Sequence, residues 1–295
     1  MPPARRCCLL LPMVLVLAAC STARVNQFKQ FAEAGIAYVE AVDALTREAA
    51  GASVDADSAI LARTRSAVPQ DDRARTVLEH NQLLKQRIEI LADLRQHAGL
   101  LGAYFVSLGA MTDPDTPAEV GDAAAQFVES LGVVGGRLRT ARVGDLAVAD
   151  FTGRVTEIAV ANFRQAQLER ELRLRAPILE RELDLQHAAM QVVVEAMATD
   201  IGVLLQYQEQ TDVVDPYRGN AKLPKTWAKR RREILIASTA VASADAAALA
   251  AGKLGEAFAA LAEGRFGAGE YLAVMGEIRR TLDLIAAVRG IDGNG

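Results

Sequence analysis

Three histidines stand on helical patterns and could do chemistry: His80, His97 and His187. Asp184 and His187 are three apart, and Asp93 and His97 four apart, so each spacing puts a carboxylate and an imidazole on one helix face. A carboxylate-bridged di-metal site in a bundle needs two Glu-x-x-His elements and two further glutamates. The chain has no Glu-x-x-His. The spacings therefore predict partly buried histidines with local hydrogen-bond partners, with no metal and no cofactor. There is no Gly-x-Ser-x-Gly elbow and no Gly-x-x-x-x-Gly-Lys-Ser/Thr loop,. Gly267-Ala268-Gly269 lacks a third glycine and a preceding strand, which makes it a turn. No residues are assigned a catalytic role, and the chain is not expected to be an enzyme.

The other constellation is a run of cations. Pro216 to Arg232 holds Arg218, Lys222, Lys225, Lys229, Arg230, Arg231 and Arg232, and no acid. Trp227, the chain's only tryptophan, lies among them, with Tyr217 nearby. Several of these cations fall in the first turns of an expected helix, where the dipole mildly disfavours them. Basic residues interleaved with aromatics suit an anionic membrane surface, lipopolysaccharide phosphate or an acidic partner. The structural alternative is that Glu209, Asp212 and Asp215, or acids on another helix, neutralise the run, with Trp227 as an ordinary core anchor.

The elements that position these residues read as helices. Phe28, Phe31, Ala32, Gly35, Ile36, Val39, Val42 and Leu45 recur at threes and fours from about Val25,. Pro69-Gln70-Asp71-Asp72 starts a second helix that runs to about Met111. Its heptad seam is Val77, Leu84, Leu91, Ala98 and Phe105 with His80, Arg87, Leu94, Leu101 and Leu108,. Gly99, Gly102 and Gly109 within it mark close approach of a neighbouring helix. A third helix spans Pro117 to about Arg139, with a turn at Arg142-Val143-Gly144. A fourth runs from about Leu146 to Gln210, with a kink or break expected at Pro177. Thr211 to Leu223 reads as irregular, because Asp215-Pro216 and Gly219-Asn220 are turn signals. Pro224 starts a fifth helix to about Glu263. After a tight Gly264–Gly267 connection, a last helix carries Tyr271, Val274, Ile278, Leu282, Ile285 and Val288 on one face, antiparallel to its predecessor. The expected fold is all-α, an elongated bundle of about six long helices. Ile234 to Ala251 is the nearest candidate for a second membrane span, and Asp245 argues for a packed Ala-rich helix instead.

The N-terminus resembles a bacterial lipoprotein signal. Arg5 and Arg6 form a charged region, Cys7 to Ala18 an apolar one too short to span a bilayer as a helix, and Leu17-Ala18-Ala19-Cys20 a lipobox,. The resemblance implies a signal peptide over 1–19, diacylation of the Cys20 thiol, a lipidated tether over 20–24, and one helical domain over 25–295. Ser21 follows Cys20, which by the same resemblance implies the inner leaflet of the outer membrane, facing the periplasm. All three cysteines, Cys7, Cys8 and Cys20, lie at or before the cleavage point. The mature chain would then have no free thiol and no disulfide.

Composition agrees with this frame. Hydrophobic residues make up 51% of the chain but aromatics only 5%, so the apolar mass is Ala, Leu and Val, which favours helices,. The formal charge of −4 becomes −6 once Arg5 and Arg6 leave, with 31 basic against 37 acidic residues. That mild acidity argues against general nucleic-acid binding. The functional expectation is a lipid-anchored envelope protein acting as a structural or protein-interaction module. The alternative is a membrane-active helical protein, with Ala237 to Ala262 as a hairpin of the pore-forming kind, and an enzyme is the third choice.

Overall fold

The computed structural model describes residues 10–113, 115, 119–143, 146–151, 166–219, 222–237, 241–265 and 268–292, with side chains described from residue 23 onward except at 237, 241–244, 268 and 284–292. Among them, seven helices of eleven residues or more form an all-α bundle: α1 (Leu10–Thr64), α2 (Arg73–Ala110), α3 (Glu119–Arg139), α4 (Ala166–Gln208), α6 (Trp227–Ala237), α7 (Val241–Glu263) and α8 (Ala268–Asp292). A four-residue helix, α5 (Asp215–Arg218), follows α4. The helix expected over Pro224–Glu263 is described as α6 and α7, and residues 238–240 between them lie outside the described residues.

Close approach at small residues sets the packing. On α1 and α2, Gly102 faces Val39 and Gly109 faces Ala32, so the two helices run antiparallel; Gly99 faces open space instead. Gly35 on α1 is the tightest of these, since a Cβ there would come within 2.5 Å of the Phe105 ring. α1 and α4 run parallel, with Tyr38 beside Gln186 and Ser53 donating to Asp200 at 2.8 Å. α7 lies antiparallel to α4, Leu183 meeting Gly255 and His187 meeting Ala248. α8 folds back on α7, and Lys253 reaches Glu277. The turn between them uses Gly264 at φ 70°, a left-handed conformation that glycine adopts without strain,.

The aromatic core sits where α1, α2 and α7 cross. Phe31 packs edge-on against Phe105 at 5.5 Å and tilted against Phe258 at 5.6 Å. Phe28, Phe31, Phe105 and Phe258 are fully buried, each stabilising the fold by about 2–3 kcal/mol,. Nearby, Arg24 donates to the Gly264 carbonyl and the Tyr271 hydroxyl donates to the Gln27 carbonyl at 2.6 Å. These contacts tie the start of the described α1 side chains to the α7–α8 turn.

Local structure departs from expectation in three places. Where the fourth helix is expected to begin, β2 (Leu146–Ala147) instead pairs antiparallel with β1 (Arg142–Val143) and a 3-10 turn follows over Val148–Phe151; residues 152–165 of that expected helix lie outside the described residues. Burial of Val143 and Val148 against the core outweighs their weak helical period,. Pro177 lies inside α4 without breaking it, where Ala176 and Leu179 beside it are fully buried; of the kink or break expected there, only the break is overturned. The stretch from Thr211 is helical as far as Arg218. It passes through a six-residue π-helix, Glu209–Val214, and Pro216 sits in the first turn of α5, where its missing N–H costs nothing,.

The backbone of α1 is helical from Leu10, so it passes through Cys20 without a break. The four residues after Cys20 then rise about 6 Å, against about 14 Å if extended. The Cys20 side chain lies outside the described residues.

Candidate functional site

The cationic run lies at one end of the bundle. α4 carries the chain past Asp200, beside Ser53, into the π-helical turn, and α6 packs back on that turn. The Trp227 Nε1–H donates to the Val213 carbonyl at 3.1 Å, and its ring stacks on Tyr217 with centroids 5.8 Å apart. Trp227 is half-buried and stands outside the main core cluster. It anchors α6 locally rather than serving as a core residue. Ile234 is the buried contact on the same side of α6.

All seven cations, Arg218, Lys222, Lys225, Lys229, Arg230, Arg231 and Arg232, are exposed. Lys229 and Arg230 pair with Glu233 on their own helix at 3.6 Å and 3.2 Å. Among the described residues, no acid lies within ion-pair distance of Arg218, Lys222, Lys225, Arg231 or Arg232. Of the acids expected to neutralise the run, Asp215 accepts from Gln210 and Asp212 from Thr211, and among the described residues neither these two nor Glu209 forms an ion pair with it. The outward face of α6 also carries Leu235, 57% exposed, one turn after Arg231, and Ile236, 54% exposed, one turn after Arg232,. The exposed surface of α6 thus carries cations in its first turns and two large aliphatic side chains in its last, with Glu233 between them.

Each histidine meets a polar partner on another helix. His80 Nδ1 meets Asp57 at 2.6 Å, bridging α1 and α2. His187 Nδ1 meets the Ala248 carbonyl at 2.8 Å, not Asp184. Asp93 pairs with Arg137 instead of His97. His97 is fully buried, with Nδ1 2.8 Å from Gln186 Oε1 and Nε2 3.2 Å from Glu182 Oε2. Glu182, also fully buried, accepts from Arg139 at 2.5 Å and Arg181 at 3.0 Å. Burial alone would raise its carboxyl pKa, but these partners outweigh that and hold it below the ordinary value,. A second buried glutamate behaves oppositely. Desolvation pushes the Glu171 carboxyl up, with only Arg175 at 3.2 Å and Tyr104 opposing it. The Glu182 cluster was not read from the sequence. Its signal was there: Leu179, Glu182, Gln186 and Ala189 recur at threes and fours, placing two polar residues on a buried stripe.

Two cavities accompany these groups. One of about 580 Å³ lies between α4 and α7, lined by Glu180, Asp184, His187, Glu256 and Arg265 with small residues of α7. The other, of about 470 Å³, is lined by the His80–Asp57 and Arg87–Asp200 pairs and Ser53. Among the described residues, no group of three or more His, Cys, Asp or Glu side chains is arranged to hold a metal ion. The alanines of α7 are buried on the bundle side, Ala247, Ala250, Ala251 and Ala257 at 0–1% exposure. Among the described residues, one helical stretch, Ala166–Arg218, contains a window long and apolar enough to cross a membrane by composition, and 44% of that window is buried within the bundle. No protein-family model, no curated protein and no solved structure matches the chain.

Proposed function

We propose that the chain is a lipid-anchored protein of the bacterial cell envelope, held through Cys20, whose helical bundle acts as a structural and interaction module. The lipobox Leu17-Ala18-Ala19-Cys20, behind Arg5, Arg6 and a short apolar stretch, carries the reading,. A helix that passes through Cys20 into the aromatic core joins the lipid rigidly to the fold. Ser21 favours the outer membrane, facing the periplasm. The envelope partner is recognised at a surface of the bundle rather than in a catalytic pocket.

Acylation needs the Cys20 thiol as acceptor. Cys20→Ala should abolish metabolic labelling with a palmitate analogue and leave the chain unprocessed. Unchanged labelling of that variant would remove the lipoprotein reading, because Cys7 and Cys8 lie within the segment that processing discards.

A further inference from the structure

We infer that the α6 end of the bundle docks an anionic lipid surface other than the bilayer that holds the anchor. The inference rests on the anchoring reading above and adds the partner's chemistry and place.

Distance is the first argument. Ser53 lies on the same continuous helix as Cys20, about 50 Å farther along at 1.5 Å per residue,. Asp200 stands beside Ser53, and the chain continues from there to Val213, under Trp227. The basic end is therefore about 60 Å from Cys20 along the bundle. Attraction to a charged surface fades within a Debye length, about 8–10 Å at ordinary ionic strength. With α1 upright on its anchor, this end does not sense the anchor's membrane.

Charge distribution is the second. The run from Pro216 to Arg232 holds seven cations and no acid. Without it, the chain after Cys20 keeps 24 basic against 37 acidic residues. An anionic bilayer repels the acidic body and attracts only the basic end. That asymmetry opposes lying flat on the anchor's own anionic membrane and favours contact with a facing one.

The chemistry of the face selects lipid. Arg231, Arg232, Lys222, Lys225 and Arg218 are exposed cations with no acid at ion-pair distance among the described residues, which suits lipid phosphates,. Leu235 and Ile236 are exposed one helical turn beyond Arg231 and Arg232,. A yielding bilayer interface accepts both kinds of side chain at once, with the aliphatic ones entering the headgroup region.

The test uses full-length protein purified from membranes and reconstituted into phosphatidylcholine liposomes, with flotation first showing whether the anchor holds. Labelled vesicles of phosphatidylcholine with about one third phosphatidylglycerol are then added, against vesicles of phosphatidylcholine alone. Docking to the anionic vesicles alone is expected, lost between about 0.1 M and about 1 M salt as the Debye length shrinks from about 10 Å to about 3 Å. Joint replacement of Lys229, Arg230, Arg231 and Arg232 by Gln should weaken docking about a hundredfold with helix content unchanged. Leu235→Ser with Ile236→Ser should weaken it several-fold and leave the salt dependence in place. Emission from Trp227 should shift when anionic vesicles are added, and stay constant when only the protein's own liposomes are made anionic. Equal capture of neutral vesicles, no docking at low salt, or wild-type docking by the Gln variant would overturn the inference. So would a Trp227 shift in the protein's own anionic liposomes, which means contact with the anchor's membrane. Binding of polyglutamate at this end without vesicle docking would also overturn it, in favour of an acidic protein partner.

Discussion

Around Phe31, side chains from α1, α2 and α7 meet in one fully buried aromatic cluster, while at α6 a single short helix rests on a π-helical turn through Trp227 and Ile234. The α2 heptad shows the same gradient within one helix. Leu91, Leu94, Ala98, Leu101, Phe105 and Leu108 are buried, whereas Val77 is exposed and His80 and Arg87 form ion pairs at the other end. Leu78, Leu83, Leu235 and Ile236 are exposed there too. The buried aromatic cluster thus lies toward the Cys20 end of α1, and the ion pairs and the cationic run lie toward the other end, although Val106, Leu174 and Leu272 are exposed as well. A rigid base with a lightly held far end is the arrangement a surface-docking module needs, since local opening at that end leaves the core intact.

The same substitution at the two ends should give the largest contrast. Leu101→Asp places an unpaired charge at a fully buried site and should cost more than about 4 kcal/mol,. Leu83→Asp, at a site 66% exposed, should stay within about 0.5 kcal/mol,. Chemical denaturation of both variants checks this. Comparable losses would mean that the far end is packed as tightly as the base.

The two buried glutamates sharpen the picture of the core itself. Glu182→Gln leaves His97, Arg139 and Arg181 without their shared carboxylate and should cost about 3 kcal/mol. Because its folded pKa is lowered, Glu182 contributes stability above the ordinary carboxylate range, and this is lost as pH falls through the lowered value,. Glu171 has the opposite sign. Its folded pKa is raised, so the native protein loses stability as pH rises from the ordinary carboxylate value through the raised one,. Glu171→Gln should lack that loss and be close to wild type or slightly more stable at neutral pH. Melting curves from acid to neutral pH on the two variants separate the cases, and parallel profiles would contradict the assignment.

Glycines give a smaller contrast. Gly35→Ala drives a Cβ into the Phe105 ring and should cost about 1–3 kcal/mol,. Gly202→Ala, on the far part of α4 with nothing within 4 Å, should gain up to about 1 kcal/mol from helix propensity,. Thermal melts of the two proteins decide it, and a stabilising Gly35→Ala would mean that α1 and α2 stand farther apart than the structure has them.

Much of the fold was legible in the sequence because a helix records its buried face every three or four residues. The α1 stripe from Phe28 to Leu45, the α2 seam from Leu91 onward and the turn at Gly264 all follow from that period. What the period does not record is which helix faces which. His97 and Glu182 are 85 residues apart in sequence, so their contact was invisible even though Glu182 and Gln186 lay on a buried stripe. Asp215-Pro216 was read as a turn because proline disfavours helix interiors, but the first turn of a new helical segment accepts it,. The cations from Arg218 to Arg232 were visible as a charge run. That Arg218, Lys222, Lys225, Arg231 and Arg232 have no acid at ion-pair distance among the described residues, and that the run is far from Cys20, emerged only from the structure.

That distance is the most direct test of the account. The chain after Cys20 contains no other cysteine, so one thiol can be placed at will on the lipidated protein. Lys225→Cys puts a donor dye at the far end and Asn26→Cys puts one near the anchor, both at exposed positions. With an acceptor lipid in the anchoring liposome, the dye at position 26 should transfer strongly. The dye at position 225, about 60 Å out along the bundle, should transfer weakly. Equal transfer from both positions would show the bundle lying flat on its own membrane and would contradict an anchored base with a free basic end.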